Sequence, residues 1–299
     1  MDLMVGLLTI YVFVLIGFIA KKRFYNTLHQ ESFVPIYIYF FMPILMVWGI
    51  LSKPLNIELI LIPTYFLLML LVGTVISFWL SQRFLTHTKH QAIGTITGII
   101  GNTGNMGIPI GLAIYGVESV PYTAMINLVN AIFVMTIGAY TYSRGTFSVK
   151  ASINNVLKLP IIWATGLAFI VQWKHIPIAA PLFSFLEIVA YVGIVIQLVI
   201  FGMFLATVSW RVFYPRIASI VLGSKFILLP LIALITIKLF DIKPFYAQLI
   251  LLQTLVPIAV NNVNLASLYD CYPEKVAWVS FISFILAVGF IPIGLLLLK

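Results

Sequence analysis

Ten apolar stretches follow one another along a chain of 299 residues, at 2–20, 33–51, 59–80, 91–115, 121–142, 156–173, 181–208, 214–237, 245–269 and 275–298. A helix of about 20 residues spans the hydrocarbon core of a bilayer. Lipid offers no partner to backbone N–H and C=O groups, so such stretches cross as helices. The expected fold is an all-α membrane protein with ten transmembrane helices. Composition excludes a soluble domain: 62% of residues are hydrophobic and 8% charged, where soluble proteins carry roughly 25% charged residues. The net charge of +9 makes no nucleic-acid surface, because the basic residues sit in short connections and form no block. A single cysteine, Cys271, rules out a disulfide framework within the chain, and no Cys/His pattern has metal-ligand spacing, so no metal or cofactor is expected. Lys21, Lys22 and Arg23 follow the first apolar run instead of preceding it, so that run reads as a retained helix and not a cleaved signal.

The basic residues also orient the chain. The odd-numbered connections hold Lys21, Lys22, Arg23, Arg83, Lys89, Arg144, Lys150, Lys158, Arg211, Arg216 and Lys275, eleven in all; the opposite side holds only Lys53, Lys174, Lys238, Lys243 and Lys299. The positive-inside rule then puts the odd connections in the cytoplasm and both termini outside the plasma (inner) membrane. The longest polar connection divides the chain into a first five-helix repeat (1–143), a short cytoplasmic connection (144–155) and a second five-helix repeat (156–299). With five helices per half, the second half starts from the other side, so the repeat is inverted.

Two stretches carry what a spanning helix avoids. The fourth holds Gly101-Asn102-Thr103-Gly104-Asn105-Met106-Gly107-Ile108-Pro109, and the ninth holds Pro257-Ile258-Ala259-Val260-Asn261-Asn262-Val263-Asn264. A buried amide without a partner costs a few kcal/mol, and irregular backbone at membrane depth survives only when packed in protein or lining a wet cavity. Such segments at matching places in the two halves mark a transporter's binding site. Asn102 and Asn105 are three residues apart, as are Asn261 and Asn264, which puts each pair on one side of a helical turn. Pro109 and Pro257 should kink or unwind the helices, and Gly101, Gly104 and Gly107 should supply the backbone freedom for it. Broken helices would present their N-terminal N–H groups and partial positive charge at the midplane, a ready anion site, to which the Asn side chains add donors and acceptors. Gly94/Gly98 and Gly107/Gly111 also fit a helix-packing face.

Carboxylates and histidines are absent from the middle of these stretches. Asp2, Glu31, Glu58, Glu118, Asp241, Asp270 and Glu274 fall in connections or at helix ends, Glu187 lies a turn or two inside the seventh stretch, and His29, His87, His90 and His175 are all in connections. No central proton relay is evident, which favours transport driven by potential or gradient. Lys225 is the exception among the cations: nine residues beyond Arg216, it sits about 13 Å along its helix. It is read as a snorkelling or structural lysine, or as a charge drawing anions into the cytoplasmic vestibule. Gln197 is a polar outlier facing either a cavity or a neighbouring helix. Pro43, Pro63, Pro160, Pro230 and Pro292 read as kinks.

The run from Asn102 to Pro109, followed by Gly111-Leu112-Ala113-Ile114-Tyr115-Gly116, resembles the fourth-helix signature of the auxin efflux carrier family, which includes bacterial malate and malonate permeases and is related to the bile-acid, arsenite and riboflavin transporters. Pro257 to Asn261, with Leu265, Ala266 and Tyr269, resembles the ninth-helix signature. Met42-Pro43, Leu159-Pro160-Ile161-Ile162-Trp163-Ala164 and Gly202-Met203-Phe204-Leu205 add weaker likeness. The resemblance implies a ten-helix inverted repeat with crossing, broken helices 4 and 9, an elevator-type motion and a homodimer. It assigns Asn102 and Asn261 to the substrate and Pro257 to the break. Gly101 stands where plant members often have proline, and 144–155 is far shorter than their central loop; both point to a small carboxylate as substrate instead of the plant hormone. A sodium-coupled bile-acid-type carrier and a channel are the remaining transport classes. An intramembrane enzyme lacks its paired Asp, Ser–His or H-E-x-x-H signature.

Overall fold

A computed structural model describes residues 3–145, 148–208, 214–296 and 298; Asp2, Arg211 and Lys299 lie outside them. All regular structure among the described residues is helical: α1 (Leu3–Arg23), α2 (Gln30–Leu51), α3 (Glu58–Phe84), α4 (Thr88–Ile96), α5 (Ile108–Tyr115), α6 (Val117–Tyr142), α7 (Val149–Leu157), α8 (Pro160–Trp173), α9 (Ala180–Leu205), α10 (Pro215–Leu239), α11 (Pro244–Leu255), α12 (Asn261–Leu268) and α13 (Pro273–Leu296). Among them α1, α2, α3, α6, α9, α10 and α13 are long and apolar enough to cross a membrane, and α8 is a shorter apolar helix. The fourth and ninth stretches are each two short helices, α4 with α5 and α11 with α12. The connection near the chain's middle is not wholly loop, since it contains most of α7.

Three prolines act in a way the kink expectation did not foresee. Pro43, Pro109 and Pro230 each follow a five-residue π turn, at Tyr37–Phe41, Thr103–Gly107 and Ser224–Leu228. Proline lacks a donor and its ring collides with the carbonyl four residues back; a wider turn relieves that collision without ending the helix. Pro109 therefore sits in resumed helix and not in a break. Pro160 begins α8, where its missing N–H costs nothing.

The contacts divide the chain into two interleaved units, neither of which follows the boundary between sequence halves. The first comprises Met1–Ile60, Gly104–Leu128 and Leu157–Thr207. Its backbone approach is closest where α1 meets α9: a Cβ on Gly17 would stand 2.1 Å from the Val199 carbonyl oxygen, and one on Gly202 1.9 Å from that of Val14. Gln197, also on α9, is buried and accepts a hydrogen bond from the Tyr37 hydroxyl of α2, so it faces a neighbouring helix. The second unit comprises Leu61–Thr103, Val129–Val156 and Val208–Lys299. In it Gly94 packs on Ser81 and Leu85, and Gly98 on the Val221 backbone and Ser224, whose hydroxyl bonds that of Ser77. The Gly94/Gly98 face thus serves packing within one chain.

Candidate functional site

In the second unit α4 ends at Ile96 and residues 97–102 leave the helix; α11 ends at Leu255 and residues 256–260 do the same. Pro257 explains the second break. A residue before proline is pushed out of helical geometry, and Val256 is extended at φ −58°, ψ 153°. The first break lies ahead of Asn102, well before Pro109.

Each break strands backbone groups that lipid cannot satisfy, and the two breaks satisfy each other. Gly101 and Ile258 form an antiparallel bridge. The Asn102 amide donates to the Pro257 carbonyl at 2.7 Å, and the Ala259 amide to the Ile100 carbonyl at 3.0 Å. Side chains complete the pairing. Asn130 Nδ2 donates to the Gly101 carbonyl at 2.9 Å, and the Ile258 amide donates to Ser283 Oγ at 2.9 Å. Asn262, fully buried, spreads its amide hydrogens over the carbonyls of Ile100 (3.1 Å), Ala259 (3.2 Å) and Thr97 (3.4 Å). Its Oδ1 accepts from the Tyr142 hydroxyl at 3.3 Å, which also bonds Thr97 Oγ1.

What remains unpaired is side chain. Asn102 Nδ2, Asn130 Oδ1, Lys225 Nζ and both polar atoms of Gln253 are buried with no hydrogen-bond partner among the described residues. All belong to residues gathered at Gly101. A Cβ there would stand 2.6 Å from Lys225 Nζ and 3.5 Å from the Gln253 carbonyl oxygen; Asn130 bonds its carbonyl, and Asn102 is its neighbour. Native proteins leave few buried polar atoms without a partner, which singles out these five as candidates for contact with a polar guest.

The predicted residues divide. Asn102 is buried at the bridge; Asn105 is half-buried in the π turn and belongs to the first unit. Asn261 and Asn264 lie on one exposed side of α12 as their spacing required, while the intervening Asn262 turns inward as a cap. The glycine expectation needs correcting. Among described residues only Gly116 and Gly145 have positive-φ glycine backbone, so Gly101 and Gly104 are not there for freedom. They are there for space: Gly101 beside Lys225, and Gly104, in the first unit, where a Cβ would stand 2.8 Å from Asn127 Oδ1. Lys225 does not snorkel. It is fully buried in a π turn. Asn127, Asn130 and Gln253 were missed, although Asn127 and Asn130 repeat the three-residue amide spacing inside the fifth apolar stretch.

The connections at the far ends of α4 and α12 hold the ionisable groups. Lys89 pairs with Asp270, whose carboxyl this lysine holds below its ordinary range. His90 Nε2 lies 2.9 Å from Lys275 Nζ; burial first, then the charges of Lys275 and His87, keep the imidazole neutral to lower pH than usual. The ammonium has donors only, so Nε2 accepts from it. A groove of about 730 Å³, lined by Arg83, Arg216, Ser224 and apolar side chains of α3 and α10, does not include the bridge residues.

The chain is 25% identical over 292 residues, covering 92% of each protein, to MJ1031, an uncharacterized transporter of Methanocaldococcus jannaschii. Residues 2–294 match the profile of a family described as "Membrane transport protein". An integral membrane chain of this length, matched from end to end, belongs to that membrane transport protein family, the auxin efflux carrier family its motifs resemble, and is a transporter and not an enzyme.

Proposed function

We propose that the protein is a secondary carrier of a small organic anion, a carboxylate, working by elevator-type alternating access around the paired breaks. The observation that carries this reading is the set of buried, unpartnered side-chain atoms on residues that meet at Gly101. Asn102, Asn105, Asn261 and Asn264 contact the substrate; Gly101, Gly104, Gly107, Pro109 and Pro257 shape the backbone around them. The chain forms ten transmembrane helices as a 5+5 inverted repeat with both termini outside the plasma (inner) membrane, and assembles as a homodimer. Transport is driven by the membrane potential or the substrate gradient, because the sequence places no carboxylate or histidine in the middle of an apolar stretch to relay protons.

Purified protein in liposomes is the test. Wild type should show saturable, exchangeable uptake of a small carboxylate. Asn102→Ala and Asn261→Ala should each lower it by at least tenfold, with normal insertion and an unchanged elution profile. Retained uptake in both variants rejects the site. A sodium-coupled carrier is the second reading, favoured by the unpartnered oxygens of Asn130 and Gln253, since hard oxygens are sodium ligands. Uptake that stops in sodium-free buffer selects it.

A further inference from the structure

Three lysines are buried among the described residues, and they are not alike. Lys21 closes a loop, its ammonium donating to the carbonyls of Tyr25 at 3.1 Å and Leu28 at 2.7 Å. Lys275 meets His90 and lies over the rings of Tyr272 and Tyr214, 3.8 and 3.9 Å from their centres. Each has what a buried cation needs. Among the described residues Lys225 has neither an acceptor, an anion nor a ring, and it is the most deeply buried of the three.

A cation in that position is costly unless something arrives to pair with it. A structural tie to the frayed end of α11 would resemble Lys21, with hydrogen bonds to its last carbonyls; Lys225 makes none, although the Gln253 carbonyl is close to the same Gly101 position. Its surroundings are also shaped around it. Gly101 leaves open the space into which any Cβ would intrude at 2.6 Å from the ammonium nitrogen. The other unpartnered side-chain atoms on the residues that meet at Gly101 are neutral, the amide donors Asn102 Nδ2 and Gln253 Nε2 and the acceptors Asn130 Oδ1 and Gln253 Oε1. Lys225 supplies the positive charge of the set, and a cation with amide donors is the complement of a carboxylate.

We infer that Lys225 is the fixed counter-charge of the transported anion, receiving a carboxylate at the Gly101–Ile258 bridge beside the amides of Asn102 and Gln253. This rests on the carrier reading above and deepens it. The substrate must carry at least one ionised carboxylate, and an uncharged isostere of the same shape is refused. The wild-type residue trades stability for binding, so an apolar side chain of similar length should fold at least as well.

The experiment compares wild type, Lys225→Met, Lys225→Gln and Gly101→Ala, purified in detergent, by thermal melting and by binding of acetate, malonate and succinate against malonamide at matched ionic strength. Wild type should be stabilised by a carboxylate and not by malonamide. Lys225→Met should melt at or above wild type and lose at least tenfold in carboxylate affinity. Lys225→Gln should lose affinity likewise, and Gly101→Ala, which keeps the charge but displaces it, should be weakened less. Wild-type affinity in both Lys225 variants overturns the inference and leaves the carrier reading standing. A Lys225→Met protein that melts several degrees below wild type makes the lysine a structural tie and overturns it too. If wild type neither binds nor moves any of the carboxylates, the carrier reading fails and takes this inference with it.

Discussion

Asn262→Ala should destabilise the second unit by about 3 kcal/mol, more than any other amide truncation there. The side chain is fully buried and serves three backbone carbonyls and one hydroxyl at once. Stranding a buried polar group costs ~1–3 kcal/mol. The Ile100 carbonyl keeps its bond from the Ala259 amide, but Thr97 and the Tyr142 hydroxyl lose theirs to Asn262. Interhelical hydrogen bonds between intact membrane helices are worth less, about 0.6 kcal/mol on average, because the separated helices find other partners. The Ala259 carbonyl likewise keeps the Asn262 backbone amide, so the loss falls on the Thr97 carbonyl and the Tyr142 hydroxyl at an interrupted, fully buried backbone, where the larger figure applies. Asn262→Asp, which keeps the shape and removes the donors, should be as damaging. Asn261→Ala, one residue away on the exposed side, should leave melting unchanged. The check is a thermal melt of the three variants in detergent, and an Asn262→Ala protein melting with wild type would refute the capping role.

Gly202→Leu should prevent α1 from docking on α9, with loss of monodisperse protein on size exclusion. Its Cβ position is 1.9 Å from the Val14 carbonyl oxygen and 2.8 Å from the Phe18 nitrogen, and Gly17 makes the reciprocal approach to Val199. Backbone cannot yield as a flexible side chain can, so the helices must separate along their length. Even Gly202→Ala should cost about 2–3 kcal/mol by overpacking. The contrast is with Gly166, Gly223 and Gly289, where nothing stands within 4 Å. Alanine at those helical positions should be neutral or stabilising by up to about 1 kcal/mol. Normal folding of Gly202→Leu would mean that α1 and α9 do not pack as described.

The membrane character and the two irregular segments were legible because their causes are local. Twenty apolar residues need a bilayer whatever surrounds them, and the clustered Asn, Gly and Pro conflict with a spanning helix wherever they stand. Pro257 placed its own break through the steric effect on Val256. Pro109 follows a π turn and sits in resumed helix, because proline can be absorbed by a wider turn as well as by a break, and that choice depends on what packs alongside. The side-chain roles went the same way. The three-residue spacing correctly put Asn261 and Asn264 on one side of α12, but no spacing rule says which amide of Asn261-Asn262 faces carbonyls 160 residues earlier.

What the chain determined alone was therefore its solvent, its helices and the two places where helix would fail. Tertiary structure decided that the failures pair as an antiparallel bridge, that Asn130 and Asn262 satisfy it, and that Gly101 exists to admit the ammonium of Lys225. The reason is that satisfaction of a buried polar group is a property of distant partners: a sequence shows which donors and acceptors are present, and only the packed chain shows which of them are left without one.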